Sequence, residues 1–279
     1  MKCANLCVKG LWMMSFACFA CSCSMEEAPL DPGLVRKFSF TSAYTGTTYP
    51  VYVVLPEGYQ SSGQYKTLYL LDGDDVGLPG QKVYESAGSL NHSAAARHQV
   101  PGALVVAIGA TEDRIRDYSP TAINMFKGQG GGVENYARFL ELELIPRIEK
   151  EFGADTSSLG RTIAGHSLGG SAGGYLFTHH PSVFSKYLLL SPAFWWDEGI
   201  QMRYEEETRA GNVYRHTLVY VGCGEFEEGI AILAEEWYRR MRQFYPNCIT
   251  TFYKVQNAGH SSSAFDDFEK AIDFYYLNQ

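Results

Sequence analysis

Ser167 stands at the centre of Gly165-His166-Ser167-Leu168-Gly169, the pattern G-x-S-x-G. An apolar strand-like run, RTIAG, precedes it, and a helix-like run, LGGSAGGYLFTHH, follows. In that strand–turn–helix context a serine sits on a sharp, strained turn with its hydroxyl exposed. Gly165 and Gly169 leave room where a Cβ would collide, and Gly170, Gly173 and Gly174 let the new helix pack close to its neighbouring strands. A phosphate cradle would also use glycines, but the P-loop lysine is missing. The stretch therefore reads as a nucleophile site.

A serine hydroxyl is a poor nucleophile until a base takes its proton. Such a base is expected after the last strand, in the chain order Ser…acid…His. His260 sits there, in VQNAGHSSS, with Gly259 freeing the backbone to swing the ring. His166 lies inside the turn itself, His179 and His180 at a helix end, and His92, His98 and His216 elsewhere, so these read as packing or surface residues. The acid should follow the preceding strand, which ends VYVGCGEFEEG. Glu225, Glu227 and Glu228 all qualify by position. A carboxylate there would orient the imidazole and stabilise its protonated form. The oxyanion formed on attack needs two backbone N–H donors. Leu168, the residue after the nucleophile, supplies one; Asp74, in LYLLDGDD with Gly73 opening the turn, is the expected second.

Several elements must hold these residues. LVRKFSFTS and TYPVYVVLP, joined by the turn-like AYTG, alternate as an antiparallel hairpin does. A buried strand is expected at KTLYLLDG, a second apolar one at ALVVAIGA, and further strands at RTIAGHS, YLLLSP, TLVYVGCG and ITTFYKVQ. Helices are expected over 83–98, 133–151 with a kink at Pro146, 168–180, 230–244 and 263–277. Alternation of strands and helices means βαβ units in a mostly parallel sheet with helices on both faces. No linker, repeat or low-complexity block interrupts residues 34–279, so one domain is expected. Residues 193–216 are too few for a large lid domain.

The chain has 279 residues, 46% of them hydrophobic, enough for one large core. A net charge of −8 with no basic block excludes a nucleic-acid partner. Lys2 and Lys9 precede the apolar run GLWMMSFACFA, followed by small residues, which reads as a secretory signal over 1–23 with a short tether over 24–33. That run is about half the roughly 20 residues a membrane-spanning helix needs. Of seven cysteines, Cys3, Cys7, Cys18, Cys21 and Cys23 lie in this leader. ACSC looks like a lipoprotein cleavage box, with Cys23 the lipidated residue and Cys21 the second choice, so the membrane contact expected is a lipid anchor at a bacterial envelope. Cys223 and Cys248 are expected at opposite ends of adjacent strands, roughly 15–20 Å apart at about 3.3 Å per residue. Two free thiols follow, since a disulfide needs Cα atoms within about 7 Å. Neither metal-ligand spacing nor a dinucleotide fingerprint appears, so no cofactor or metal is implied.

Taken together, LYLLDG, RIRDYSP, GGVENYARFLELELIP, AGHSLGG, SPAFWW, GCGEFE and AGH occur in the order found in one family. The chain resembles the esterase D-like family of α/β-hydrolases, which includes feruloyl esterases, enterochelin-type siderophore esterases, S-formylglutathione hydrolases and mycolyltransferases. DG after the third strand, SPAFWW and GEFE are most similar to the siderophore-esterase branch. The resemblance implies an α/β-hydrolase fold, Ser167 as nucleophile and His260 as base. It also places Glu227 where relatives carry the acid, with Glu225 second, although many members have Asp there. Some members of that branch work with a Ser–His pair and a weak or absent acid. In RIRDYSP, Asp117 and the arginines either hold a loop over the site or form a structural ion-pair corner, and Arg114 is a candidate contact for an anionic substrate. Trp195 and Trp196 either stack on an acyl group or sugar, or pack.

The expected function is therefore carboxylic-ester hydrolysis through an acyl-enzyme. Expected substrates are siderophore lactones, which the branch resemblance favours, or feruloyl and acetyl groups on plant polysaccharide. An acyltransferase of the same fold and a non-catalytic binding protein are the alternatives.

Overall fold

The computed structural model describes residues 30–74 and 82–279. The leader, the candidate lipidation sites Cys21 and Cys23, and most of the 24–33 tether lie outside those residues. A hairpin of β1 (Val35–Thr41) and β2 (Thr48–Val54) opens the fold, followed by β3 (Thr67–Leu71), α1 (Val83–His98) and β4 (Leu104–Ile108). The short helix α2 (Arg114–Tyr118) and the two-residue strands β5 (Ala122–Ile123) and β6 (Gln129–Gly130) lead into α3 (Val133–Phe139) and α4 (Ile145–Phe152). Strand and helix then alternate: β7 (Arg161–His166), α5 (Leu168–His179), β8 (Lys186–Leu190) and α6 (Trp196–Asn212). The chain closes with β9 (Thr217–Gly224), α7 (Glu228–Phe244), β10 (Cys248–Val255) and α8 (Ala264–Leu277).

Eight strands form one sheet in the order β1-β2-β4-β3-β7-β8-β9-β10. β2 pairs antiparallel with β1 and β4, and every other neighbouring pair is parallel. Successive side chains of a strand face opposite sides, and both sides are buried. On β3, Tyr69 and Leu71 join the core beneath α3, α5 and α7, whereas Leu68 and Leu70 join the core beneath α1 and α8. From β3 the chain crosses to β4 on one side, then returns to place β7 on the other. The carboxyl ends of β3 and β7 thus flank the point where strand order reverses, the crevice in which open α/β sheets bind ligands.

The helical run over 133–151 is unbroken, but its irregularity lies just upstream of Pro146. A π-helical turn, Leu140–Leu144, joins α3 to α4 with the residues at both of its ends in the right-handed helical conformation, and the Ile145 N–H reaches back to the Leu140 carbonyl. The wider turn is where the helix accommodates a proline that cannot donate. The sequence pattern did not predict α6, since its EEETRAGN half is polar. Glu205 holds it in place: this buried carboxylate pairs with Arg209 and Arg240 at 2.8 and 2.9 Å and accepts from the Tyr245 hydroxyl at 2.9 Å. Cys223 lies within β9 and Cys248 begins β10; both are free, and the register sets Cys248 opposite Thr217 and Cys223 opposite Lys254.

The turn from β7 into α5 is tight. A Cβ at Gly165 would collide with the Gly169 carbonyl, and Cβ atoms at Gly173 and Gly174 would each come 2.7 Å from a core side chain, Leu189 and Phe194. Gly165→Ala should therefore cost about 1–3 kcal/mol or more of stability through overpacking. A urea midpoint equal to that of the unaltered protein would show that the turn has slack.

Candidate active site

Ser167 bridges β7 and α5 with φ 60° and ψ −119°, a conformation few non-glycine residues adopt. Its backbone is fixed from both sides. The Ser167 N–H donates to the Leu190 carbonyl at 2.9 Å, and the Ser167 carbonyl accepts from Ala193 and Ser171 N–H at 2.9 and 3.1 Å. Leu168 is the first residue of α5, where helix geometry leaves the N–H without an intrahelical acceptor.

His260 lies in the loop between β10 and α8. Asn257, at φ 55°, turns the chain, and its N–H donates to Glu225 Oε2 at 2.7 Å. His260 Nε2 is 2.9 Å from Ser167 Oγ, and Nδ1 is 2.7 Å from Glu227 Oε2. Glu227 immediately precedes α7 and is buried. Burial would raise its pKa, but hydrogen bonds from His260, the Gly224 amide and Ser191 outweigh that and bring it to about 2. An ionised Glu227 fixes the proton of neutral His260 on Nδ1, so Nε2 accepts from the serine hydroxyl. Of the three glutamates allowed by sequence position, Glu227 alone reaches the imidazole: Glu225 ties the His260 loop, and Glu228 is exposed at the start of α7.

Three neighbours were not singled out as site residues from the sequence. His166 Nε2 is 3.0 Å from the His260 carbonyl, and the two rings are 4.5 Å apart. Burial, then the adjacent His260, lowers the His166 pKa to about 4, so His166 is neutral at neutral pH. Asp72, at φ 57° just after β3, takes both Nε and Nη2 of Arg114 at 2.7 Å. Asp267, fully buried on α8, accepts from the Tyr220 hydroxyl at 2.7 Å, while its Oδ2 has no hydrogen-bond partner. No single-residue pattern marks these; each depends on a contact between distant segments.

Other candidates sit differently from expectation. Arg114 is paired with Asp72, and both line the cavity beside His166. Asp117 is buried and accepts from Tyr49 at 2.6 Å and from Arg116 at 2.7 and 2.9 Å, the ion-pair corner. Trp196 is 1% exposed, and its indole N–H donates to the Thr121 carbonyl at 3.0 Å, so it packs rather than meeting a substrate. Trp195 is half-buried and stacks over Phe126 with ring centroids 6.4 Å apart. After β3, the Gly73 N–H is committed to the Ile108 carbonyl, and the Asp74 carboxylate accepts from Ala110 N–H at 2.8 Å. A cavity of about 140 Å³ abuts His166, walled mainly by apolar groups including Leu71, Leu190 and Phe265. Among the described residues no group of His, Cys, Asp and Glu could hold a metal ion, and no helix is long and apolar enough to cross a membrane.

A serine on a strand–turn–helix elbow, hydrogen-bonded to a histidine after the last strand of a mostly parallel sheet, defines the α/β-hydrolase class. Within that class the chain belongs to the "Putative esterase" family, whose model matches residues 42–267. It is 28% identical over 209 residues to an endo-1,4-beta-xylanase/feruloyl esterase of Xylanibacter ruminicola, covering 72% of this chain and 26% of that one. It is also 28% identical over 166 residues to the ferri-bacillibactin esterase BesA of Bacillus subtilis, covering 54% of this chain and 55% of the relative. The chain thus spans about half, or less, of the length of these curated relatives. The BES protein from Bacillus cereus has the same fold, with a TM-score of 0.75 at 24% identity over 86% of this chain and 95% of that one. So does the siderophore hydrolase EstA from Aspergillus nidulans, at 0.74 and 18% identity over 90% and 98%.

Burial, and next the nearby Glu227 charge, push the Asp267 pKa up to about 7 despite the Tyr220 hydrogen bond. The native state therefore keeps this proton after the unfolded chain has lost it, so this carboxyl makes stability fall as pH rises from about 4 to 7. Denaturation of both proteins at pH 5 and pH 8 should show a larger loss in the unaltered protein than in Asp267→Asn. Equal losses would mean that Asp267 ionises normally in the fold.

Proposed function

We propose that this chain is a serine carboxylic-ester hydrolase that works through an acyl-enzyme on Ser167. The observation that carries this reading is the unbroken hydrogen-bonded line from Ser167 Oγ through His260 to Glu227, at 2.9 and 2.7 Å. Ser167 Oγ attacks the ester carbonyl as His260 Nε2 takes its proton, and the imidazolium is balanced by Glu227. The oxyanion accepts from the Leu168 N–H and from the Asp74 amide. His260 then protonates the departing alkoxide, leaving an acyl-serine. Water, deprotonated by the same imidazole, releases the acid and restores the serine.

The substrate class we propose is a siderophore-type ester or an aromatic-acyl or acyl-carbohydrate ester. Relatives named as feruloyl and ferri-bacillibactin esterases support it.

Turnover of para-nitrophenyl acetate, followed by treatment with an organophosphonate and mass spectrometry of the adduct, tests the nucleophile. The expected adduct is on Ser167, and Ser167→Ala should lower kcat by roughly four orders of magnitude or more. Near-normal turnover in that variant would remove Ser167 from the reaction. Glu227→Gln should lower kcat by about 10³- to 10⁴-fold, and Glu225→Gln by less than about threefold. Equal small losses would instead mean that serine and histidine act as a pair.

A further inference from the structure

The motif SPAFWW begins with a serine to which the mechanism above assigns nothing. Ser191 directly follows β8, is fully buried, and holds φ 39° although it is not glycine. Residues kept in that region mark places where surrounding structure over-determines the backbone. Its N–H donates to the Gly222 carbonyl at 2.8 Å, tying the end of β8 to β9. Its hydroxyl donates to Glu227 Oε1 at 2.8 Å.

That oxygen collects further donors. The Gly224 N–H reaches Oε1 at 2.6 Å, and the Ser263 hydroxyl, at the start of α8, reaches it at 3.2 Å. Gly224 makes the approach possible, since a Cβ there would lie 2.8 Å from the same oxygen. Three segments therefore pin Oε1, and Oε2 is left facing His260 Nδ1. A glutamate has one more rotatable bond than an aspartate, so an unpinned carboxylate would sample orientations that miss the imidazole.

We propose that Ser191, assisted by Ser263, is a positioning residue that locks Glu227 in the one orientation that serves His260. The proposal rests on the reading of Glu227 as the acid. Ser191 touches neither substrate nor reacting atoms; it acts through the carboxylate.

Ser191→Gly is the main variant, because glycine accepts φ 39° without strain and removes the hydroxyl together with the Cβ that carries it. It should lower kcat about tenfold with KM unchanged, the loss of one hydrogen bond to a charged group. Relief of the strained φ should offset much of the lost packing and hydrogen bond, so its Tm should fall by no more than a few degrees. Ser191→Cys keeps the volume with a weaker donor and should also slow turnover, which covers the case where glycine loosens the fold. A double-mutant cycle makes the decision: in a Glu227→Ala background, Ser191→Gly should cause no further loss. An equal loss in both backgrounds, a rise in KM, or a fall in Tm with kcat intact would overturn the role of Ser191. If Glu227→Ala alone left kcat at the wild-type level, the acid assignment itself would fall and the proposal with it, a result that Ser191→Gly alone could not produce.

Discussion

The whole site hangs on how closely β7 and α5 approach at Gly165 and Gly169. Only with no Cβ at Gly165 can the chain turn sharply enough to hold Ser167 at φ 60°. That turn projects the hydroxyl beyond the carboxyl edge of the sheet, where the β10–α8 loop can reach it. The conformation is costly for a residue with a side chain, and backbone bonds to Leu190, Ala193 and Ser171 hold it. A more relaxed turn would withdraw the hydroxyl and break its hydrogen bond to His260.

Sheet order does the rest of the positioning. β7, β8, β9 and β10 run parallel side by side, so the loops that follow them emerge on one edge. Those loops carry Ser167, Ser191, Glu227 and His260 in sequence. Together with the Gly165 turn and the tie of the His260 loop to Glu225, this brings residues almost a hundred positions apart within hydrogen-bonding distance.

Much of this was legible because strands and helices with strong apolar patterns announce themselves. The buried runs at 68–71, 104–108, 187–190 and 217–222 matched strands, and the G-x-S-x-G turn fixed where the helix begins. What stayed hidden depended on pairs of distant residues. α6 is polar in sequence and is held by an ion-pair network to α7, which no local pattern reveals. Position along the chain did not separate Glu225 from Glu227; the family resemblance favoured Glu227, and the turn before α7 is what sets it facing the imidazole. Arg114 looked available for an anion because the sequence does not show Asp72 folding back onto it. Trp196 looked like a stacking platform because a motif cannot reveal that its indole is closed off beneath Phe126 and Thr121.

Cys223 and Cys248 sit on adjacent strands but six register positions apart, about 20 Å at strand spacing. No side-chain motion within the folded sheet can join them, because a disulfide tolerates only about 7 Å between Cα atoms. A bridge between them can form only in a chain whose last two strands have come apart. Under oxidising conditions such a bridge would be a covalent record of misfolding, locking the wrong pairing and keeping His260 from ever reaching Ser167. The native register thus acts as a kinetic safeguard: once β9 and β10 zip together, the hazardous pair is out of reach.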